Sequence, residues 1–405
     1  MQHDQRTPAG AARSHSRFRA PRAFRALMLG GAIALAVAAC GSSGSTTTGT
    51  TANTGTSAGA GTATGTSQTS FVGKKVFLLA PFNITPWPQY YDALTVSAIK
   101  QAMPGIQVQV LSANGSQATE LQNINSAVSQ GASLVLYAPN DPTQAAAGLN
   151  QLASAKIPVI GYVHNANGGP QAGFVWVNVP SVARWWGNYI EQNIVKAVGH
   201  KPVRLAIQYG DPTFTFYTDM YGGLNAAVKN LEQQGDVKVV CQANTPGWAP
   251  ATAQQDMEQC LTKTSNNVDA ALVMNDSTAD GVAAALQAQH LLGKVKIWGG
   301  HDGDLTAVQR IVAGDQVGTF LPNYKELAAH TALMVKAVLE GKSLASSSLV
   351  NATFNNGYVK GGVPSYFAPE IPITAASLQQ QIIGTGYYTK AQVCAGVAKG
   401  VGICK

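Results

Sequence analysis

The sequence predicts an α/β fold made of two doubly wound parallel-sheet lobes, and three observations carry that expectation. From Val72 onward, apolar strand-like runs alternate with segments of helical period, the pattern of parallel strands joined by right-handed crossovers. Residues 72–405 exceed what one core usually holds, so two domains are expected. Within Val273–Gly314, strand, helix, strand and helix follow in order, with polar side chains at both strand ends. Parallel sheets hold ligands at those ends.

The chain opens on a targeting pattern. Arg13, Arg17, Arg19, Arg22 and Arg25 precede an apolar run from Ala26 to Ala39, and Val37-Ala38-Ala39-Cys40 sets small residues before a cysteine. Residues 1–39 therefore read as a bacterial lipoprotein signal peptide, with Cys40 expected to carry diacylglycerol as the mature amino terminus. The apolar run is shorter than the roughly 20 residues of a transmembrane anchor. The expected location is extracytoplasmic, anchored by lipid to the outer face of the cell membrane, or periplasmic.

Residues 40–71 read as a tether. The stretch is almost wholly Gly, Ser, Thr and Ala and carries no charge, so it cannot bury enough apolar surface to fold. As a flexible coil it spans roughly 30 Å. Gly55-Thr56-Ser57-Ala58-Gly59 fits the G-x-S-x-G nucleophile pattern, but no strand precedes it and no helix follows, so the match is spurious.

Charge narrows the partners. The net +7 includes six Arg and one Asp before Cys40, so the mature chain carries +2. That is no basic field for nucleic acid, and nucleic-acid binding is not expected. The remaining cysteines, Cys241, Cys260, Cys394 and Cys404, are even in number in an exported chain and read as disulfides. Of the three possible pairings, the local ones, Cys241–Cys260 and Cys394–Cys404, are favoured; each is worth about 2–3 kcal/mol. No C-x-x-C or Cys/His spacing suggests a metal, and no cofactor is expected.

Strands are expected at Val76–Ala80, Gln107–Leu111, Leu134–Tyr137, Val159–Tyr162 and Phe174–Val177. Five more are expected at Arg204–Gln208, Lys238–Cys241, Ala271–Met274, Val295–Trp298 and Thr319–Leu321. Helices follow most of them, including Ser116–Gln130 stopped by Gly131 and Ser181–Val198 stopped by Gly199. After Ala271–Met274, Ser277 offers an N-cap with Asp280 as the capping-box acid, and Gly293 stops that helix.

Several segments carry a family likeness. Asn275–Gly281 and Gly300–Gly314 match two segments of the periplasmic (type I) sugar-binding proteins of ABC importers, and Gly247-Trp248-Ala249-Pro250 matches their G-W-x-P turn. The tail Pro369–Cys394, with IPIT and TGYYTKAQVC, is similar to the xylose-binding group. The resemblance implies two lobes facing across a cleft and joined by a three-segment hinge. The crossings would lie near Asn178–Ser181, near Pro322-Asn323 and within Ala352–Gly362. The amino-terminal lobe would then hold residues 72–179 and about 323–350, and the carboxy-terminal lobe residues 180–322 and about 351–405.

A sugar site needs aromatic faces for C–H surfaces and polar groups for hydroxyls. Aromatic residues cluster at loop positions: Phe82 and Trp87 after the first strand, Phe214 and Phe216 after Arg204–Gln208, and Trp248. The resemblance implies that Trp248 stacks on the ligand and that Trp87 occupies an aromatic position near the first helix. Asn275 offers an amide to vicinal hydroxyls, although Asn-Asp pairs also serve turns and caps. Asp302 offers a carboxylate for two hydroxyl hydrogens, with Asp304 better placed to cap the next helix. Both match binding positions of the family.

The amino-terminal lobe departs from the family. Where an Asp-Arg pair is expected after Val159–Tyr162, the chain has Val163-His164; an Arg expected before Trp87 is Pro86. An expected Asn falls at Thr215 or Phe216, and an expected Lys at Pro322 or Asn323. His164 remains as a lone loop histidine, a type that is usually solvated. These departures point to a modified, larger or less hydroxylated ligand than xylose.

The resulting expectation is a monomeric solute-binding lipoprotein, not an enzyme. It captures a monosaccharide or carbohydrate-like molecule by hinge closure and delivers it to an ABC permease. A ligand-sensing receptor domain of the same fold is the alternative. A secreted hydrolase would need an acid–base pair or a nucleophile beside a histidine, and no such motif surrounds His164 or His301.

Overall fold

The computed structural model describes residues 70–81, 86–398 and 400–405. The lipidation site Cys40, residues 1–39, most of the tether and Phe82 lie outside the described residues.

The first lobe begins with β1 (Lys75–Ala80), α1 (Pro86–Ala102), β2 (Gln107–Ser112) and α2 (Gln117–Ser129). It continues with β3 (Leu134–Tyr137), α3 (Ala146–Ser154), β4 (Val159–Tyr162) and β5 (Gly173–Val177). The second lobe opens with α4 (Val179–Val198), β6 (Val203–Gln208), α5 (Thr215–Gln233) and β7 (Val237–Ala243). After it come α6 (Pro250–Lys263), β8 (Ala270–Val273), α7 (Asp276–Ala288), β9 (Lys296–Gly299), α8 (Leu305–Ala313) and β10 (Gly318–Pro322). The chain then returns to the first lobe through α9 (Tyr324–Leu339), β11 (Ala352–Phe354) and β12 (Val363–Ala368). It finishes in the second with β13 (Glu370–Thr374) and α10 (Lys390–Cys394).

Strand order explains why both lobes present their ligand-facing ends to one cleft. The first sheet runs β11-β12-β5-β4-β3-β1-β2, parallel except for the β11–β12 pair. The second runs β7-β6-β8-β9 in parallel, and a bridge from Ile297 to Gln316 leads on to the antiparallel β10–β13 ribbon. In each sheet the first strand has its successor on one side and the later strands on the other, which makes a topological switch point at the strand carboxyl ends. The central strands are buried on both faces, as the near-continuous apolar runs FLLA, LVLY and AALV require. Helices cover the faces with apolar stripes. On α1, Trp87, Tyr91, Thr95 and Ile99 recur every four residues and are all buried, facing α9.

All ten expected strands are present, with boundaries shifted by at most two residues. Two corrections concern helix starts and lobe boundaries. The helix after β8 is capped by Asn275, whose side chain accepts from the Thr278 amide at 3.0 Å. Ser277 therefore lies inside the first turn, and Asp280 pairs with Arg310 instead of closing a capping box.

The third crossing lies elsewhere than the Gly- and Asn-rich stretch suggests. Val363–Ala368 joins β5 in parallel register, and Ala352–Phe354 pairs with it antiparallel, so residues 351–368 belong to the first sheet. Residues 355–362 are the connection of that hairpin, where Gly357, Gly361 and Gly362 take positive φ. Val363, Ser365 and Ala368 are fully buried, which draws this strand onto the sheet. The chain crosses between Ala368 and Glu370, and earlier between Val177 and Val179 and between Pro322 and Tyr324. At the first two crossings Asn178 and Asn323 cap the next helix, accepting from Ser181 N and Glu326 N at 3.3 Å each.

Disulfides join Cys241 to Cys260 and Cys394 to Cys404, with Cα–Cα distances of 5.9 and 5.6 Å. The first ties edge strand β7 to α6; the second closes the tail, which packs against α8.

Helices α6 and α7 approach closely at Gly281, where an added Cβ would lie 2.1 Å from the Pro250 carbonyl oxygen. Gly281→Ala is expected to lower the unfolding free energy by about 1–3 kcal/mol, the usual cost of overpacking. Gly222→Ala, on an open face of α5 with nothing within 4 Å, is expected to stabilise by up to about 1 kcal/mol. Urea denaturation of both variants checks the contrast.

Candidate functional site

A cavity of about 420 Å³ lies between the lobes at the strand carboxyl ends. It falls in the range of small-molecule sites, about 300–1,000 Å³. The structure brings Trp87, His164, Phe216, Trp248, Asn275 and Asp302 to its walls.

The second lobe supplies the polar wall. Asn275 follows β8 and Asp302 follows β9, and the two side chains meet, with Asn275 Nδ2 donating to Asp302 Oδ2 at 3.4 Å. The Asn275 oxygen is already engaged in capping α7, so capping and cleft lining are both true of this residue. One lone pair of that oxygen and one N–H of the amide therefore remain for a ligand.

Asp302 sits in the loop 299–304 with φ 101°, a left-handed conformation that an L side chain adopts only under constraint. Two contacts hold it there. The Tyr324 hydroxyl donates to its backbone carbonyl at 3.1 Å, and His301 Nδ1 lies 2.8 Å from Oδ1. His301 is 1% exposed, and its Nε2 lies 2.7 Å from Glu370 Oε2. The Nε2 contact is a close charge pair rather than an aligned hydrogen bond. Burial alone would lower the His301 pKa, but Glu370 and Asp302 outweigh it and raise it to about 10. His301 is thus an imidazolium at neutral pH, donating toward Asp302.

Beneath this triad lies a second acidic layer. Asp276, fully buried at the start of α7, accepts from the Thr319 hydroxyl at 2.8 Å and from the Asp304 amide at 3.0 Å. Burial and then the Asp302 charge push its pKa up to about 7, opposed by Arg310. Asp304 flanks α8 as expected, but its side chain makes no cap hydrogen bond, and burial raises its pKa well above the carboxylate range.

Trp248 reaches the cleft from the turn 246–248 at φ 54°. Asp211 holds that turn by accepting from Gly247 N at 2.6 Å. The indole passes over Gly210, where a Cβ would lie 1.8 Å from the ring, and packs edge-on against Phe216 at 5.4 Å.

The first lobe supplies an aromatic wall. Trp87 stacks on Tyr324 at 6.0 Å and lies 5.9 Å from Trp176. Phe174 and Trp176, two apart on β5, both face the cavity, joined by Phe354 from β11 and Phe367 from β12. His164 is oriented by Nδ1, 2.9 Å from the Pro139 carbonyl, and burial lowers its pKa to about 4, so it is neutral. It is therefore part of the cleft wall rather than a solvated loop histidine. Lobe meets lobe here: the Thr215 hydroxyl donates to Asn165 Oδ1, and His164 lies edge-on to Phe214 at 4.6 Å. Among the described residues no Lys or Arg lines the cavity. Of the departures from the family pattern, Thr215 and Phe216 line it, whereas Pro322 and Asn323 do not.

Sequence reasoning weighs His301 only as a catalytic candidate and passes over Glu370, Trp176, Phe354 and Phe367. The alternation Phe174-Val175-Trp176 was available as a signal that both rings share one face of a strand. Glu370 had no such signal, because it reaches His301 only through the β10–β13 pairing.

Two doubly wound lobes around such a cleft define a two-lobed solute-binding protein. Residues 77–343 match the family model described as periplasmic binding protein domain, and the chain belongs to that family. It is 29% identical over 289 residues to the D-xylose-binding periplasmic protein of Haemophilus influenzae, covering 71% of this chain and 83% of that protein. Identity to the D-xylose-binding periplasmic protein of Escherichia coli is 27% over 291 residues, covering 71% and 84%. Among solved structures, an ABC transporter solute-binding protein from Clostridium phytofermentans with bound β-D-glucose superposes with a TM-score of 0.69 at 25% identity. That likeness covers 79% of this chain and 100% of the other. These relatives are solute-binding proteins, not enzymes.

The charged triad makes stability pH-dependent. A histidine raised from 6.5 to about 10 contributes stability that is complete below about pH 6.5 and lost as pH rises toward 10. Asp276, raised from 3.8 to about 7, likewise loses its contribution as pH rises to 7, while His164, lowered to about 4, acts oppositely and only below 6.5. Between pH 7 and 9 the unfolding free energy is expected to fall by up to about 1.4 kcal/mol per unit. His301→Gln is expected to flatten that slope in urea titrations across the same range.

Proposed function

We propose that this chain is a solute-binding lipoprotein of an ABC importer, tethered through Cys40. It captures a carbohydrate-like molecule between its lobes and presents the closed form to a permease. The observation that carries the reading is the Asn275–Asp302 pair at the cleft, with the Trp248 indole beside it. A carboxylate oriented by a neighbouring imidazolium is a preorganised acceptor for hydroxyl hydrogens, and an indole face suits the C–H surface of a sugar ring. The relatives named for D-xylose, and the neighbour holding β-D-glucose, support the same class of ligand. Bridging both lobes with one ligand favours the closed state, the population shift such an importer uses.

The first-lobe wall modifies the expected ligand. Its polar groups are mostly committed within the protein, and each unpaired hydroxyl buried against it would cost about 1–3 kcal/mol. The ligand is therefore a modified, larger or less hydroxylated molecule than xylose.

Isothermal titration against D-xylose, D-glucose, D-galactose, L-arabinose and myo-inositol tests the carbohydrate reading. At least one is expected to bind, and Asp302→Ala and Trp248→Ala are each expected to weaken it at least tenfold, with Asn275→Ala weakening it less. Binding of none of them and of none of their methyl and phenyl glycosides, or variants that bind as the parent does, would contradict it. Mass spectrometry of ligand co-purified from the native host identifies the solute directly.

A further inference from the structure

The carbohydrate reading leaves the aromatic wall unexplained, and the inference drawn from that wall rests on that reading. We propose that the ligand is a glycoside with a flat aromatic aglycone. Its sugar ring lies on Asn275, Asp302 and Trp248, and its aglycone lies against the first-lobe rings.

The hydroxyl-pairing side chains of the cleft are concentrated in the second lobe, which also carries Phe214, Phe216 and Trp248, whereas the first lobe adds His164, Asn165 and a run of rings. Asn275, Ser277, Asp302 and Asp219 come from the second lobe. The facing wall is Trp87, Phe174, Trp176, Phe354 and Phe367. Phe367 is in register with Trp176 across the β12–β5 pair, and Phe174 lies 5.4 Å from Phe354 and 5.9 Å from Phe367. These contacts are tilted or edge-on, at 41° and 70°, and Trp87 meets Trp176 at 37°, so the wall rings do not stack on one another. Such a wall accepts a further planar group in offset or edge-on contact.

Polar atoms on that side are engaged. His164 Nδ1 is bonded to Pro139, and Asn165 is bonded to Thr215 and Asn167. A second hydroxylated ring there would lack partners, so an oligosaccharide fits poorly. A phosphorylated or carboxylated ligand fits no better, because no Lys or Arg among the described residues lines the cavity. An uncharged aromatic aglycone satisfies the wall, and its sugar satisfies the opposite face.

The test compares phenyl with methyl β-glycosides of D-xylose and D-glucose, alongside the free sugars, by isothermal titration of the full chain. Phenyl glycosides are expected to bind at least tenfold more tightly than the methyl glycosides of the same sugar. Phe354→Ser and Phe367→Ser replace partly exposed rings and are expected to shrink that ratio below threefold; circular dichroism verifies that they fold. A phenyl glycoside that binds no better than the methyl glycoside or free sugar overturns the aromatic aglycone while leaving the carbohydrate reading intact. Phenol binding as tightly as the phenyl glycoside overturns it as well, since the sugar end would then contribute nothing. Failure of every glycoside and free sugar overturns both.

Discussion

His301 lies between the carboxylates of Asp302 and Glu370 with almost no access to water, and much of the cleft depends on that arrangement. Buried charges are tolerated when paired, and removal of one partner leaves the others uncompensated. The loop 299–304 can therefore keep Asp302 in a left-handed conformation, aimed at the ligand space. The same triad reaches the hinge. Glu370 begins the strand just after the third crossing, and Tyr324, which bonds the Asp302 carbonyl, begins the helix just after the second. A ligand held by Asp302, as proposed, would pull on groups fixed beside two of the three crossings, through which any lobe rotation would pass.

The lobes repeat one topology but divide the chemistry. The second supplies the oriented carboxylate, the helix-capping amide and the indole over Gly210. The first supplies mostly ring surface and, among the described lining residues, no Asp, Glu, Lys or Arg, with Phe354 and Phe367 added by β11 and β12. This division follows from strand order: β11 and β12 extend the first sheet past β5, so their side chains continue the wall that Phe174 and Trp176 start.

Most of the fold was legible in the sequence because buried parallel strands leave continuous apolar runs and several of their helices end at or next to a glycine, as α4 does at Gly199 and α8 at Gly314. The hairpin 352–368 was not, because its Asn and Gly content marks a connection while Pro364 and Ser365 interrupt the apolar run of its strand, VPSYFA. Pairing with β5 decides its place, and that is a tertiary fact. At the site, Asn275 and Asp302 could be read from strand ends followed by polar loops. Partners arriving from distant segments could not: Glu370 is remote in sequence from His301, and Tyr324 from Asp302. The capping role of Asn275 and the displaced helix start show a smaller limit, since Asn275 and Ser277 are both good caps and only the backbone decides between them.

The protonation state of His301 is the most direct test of the account. Ring ¹⁵N chemical shifts, followed from pH 6 to 10 in isotope-labelled protein, report it without reference to any ligand. Both ring nitrogens are expected to be protonated at pH 8, with titration near pH 10. A neutral imidazole at pH 8, titrating near the ordinary 6.5, would contradict the charged triad and the orientation of Asp302 that rests on it.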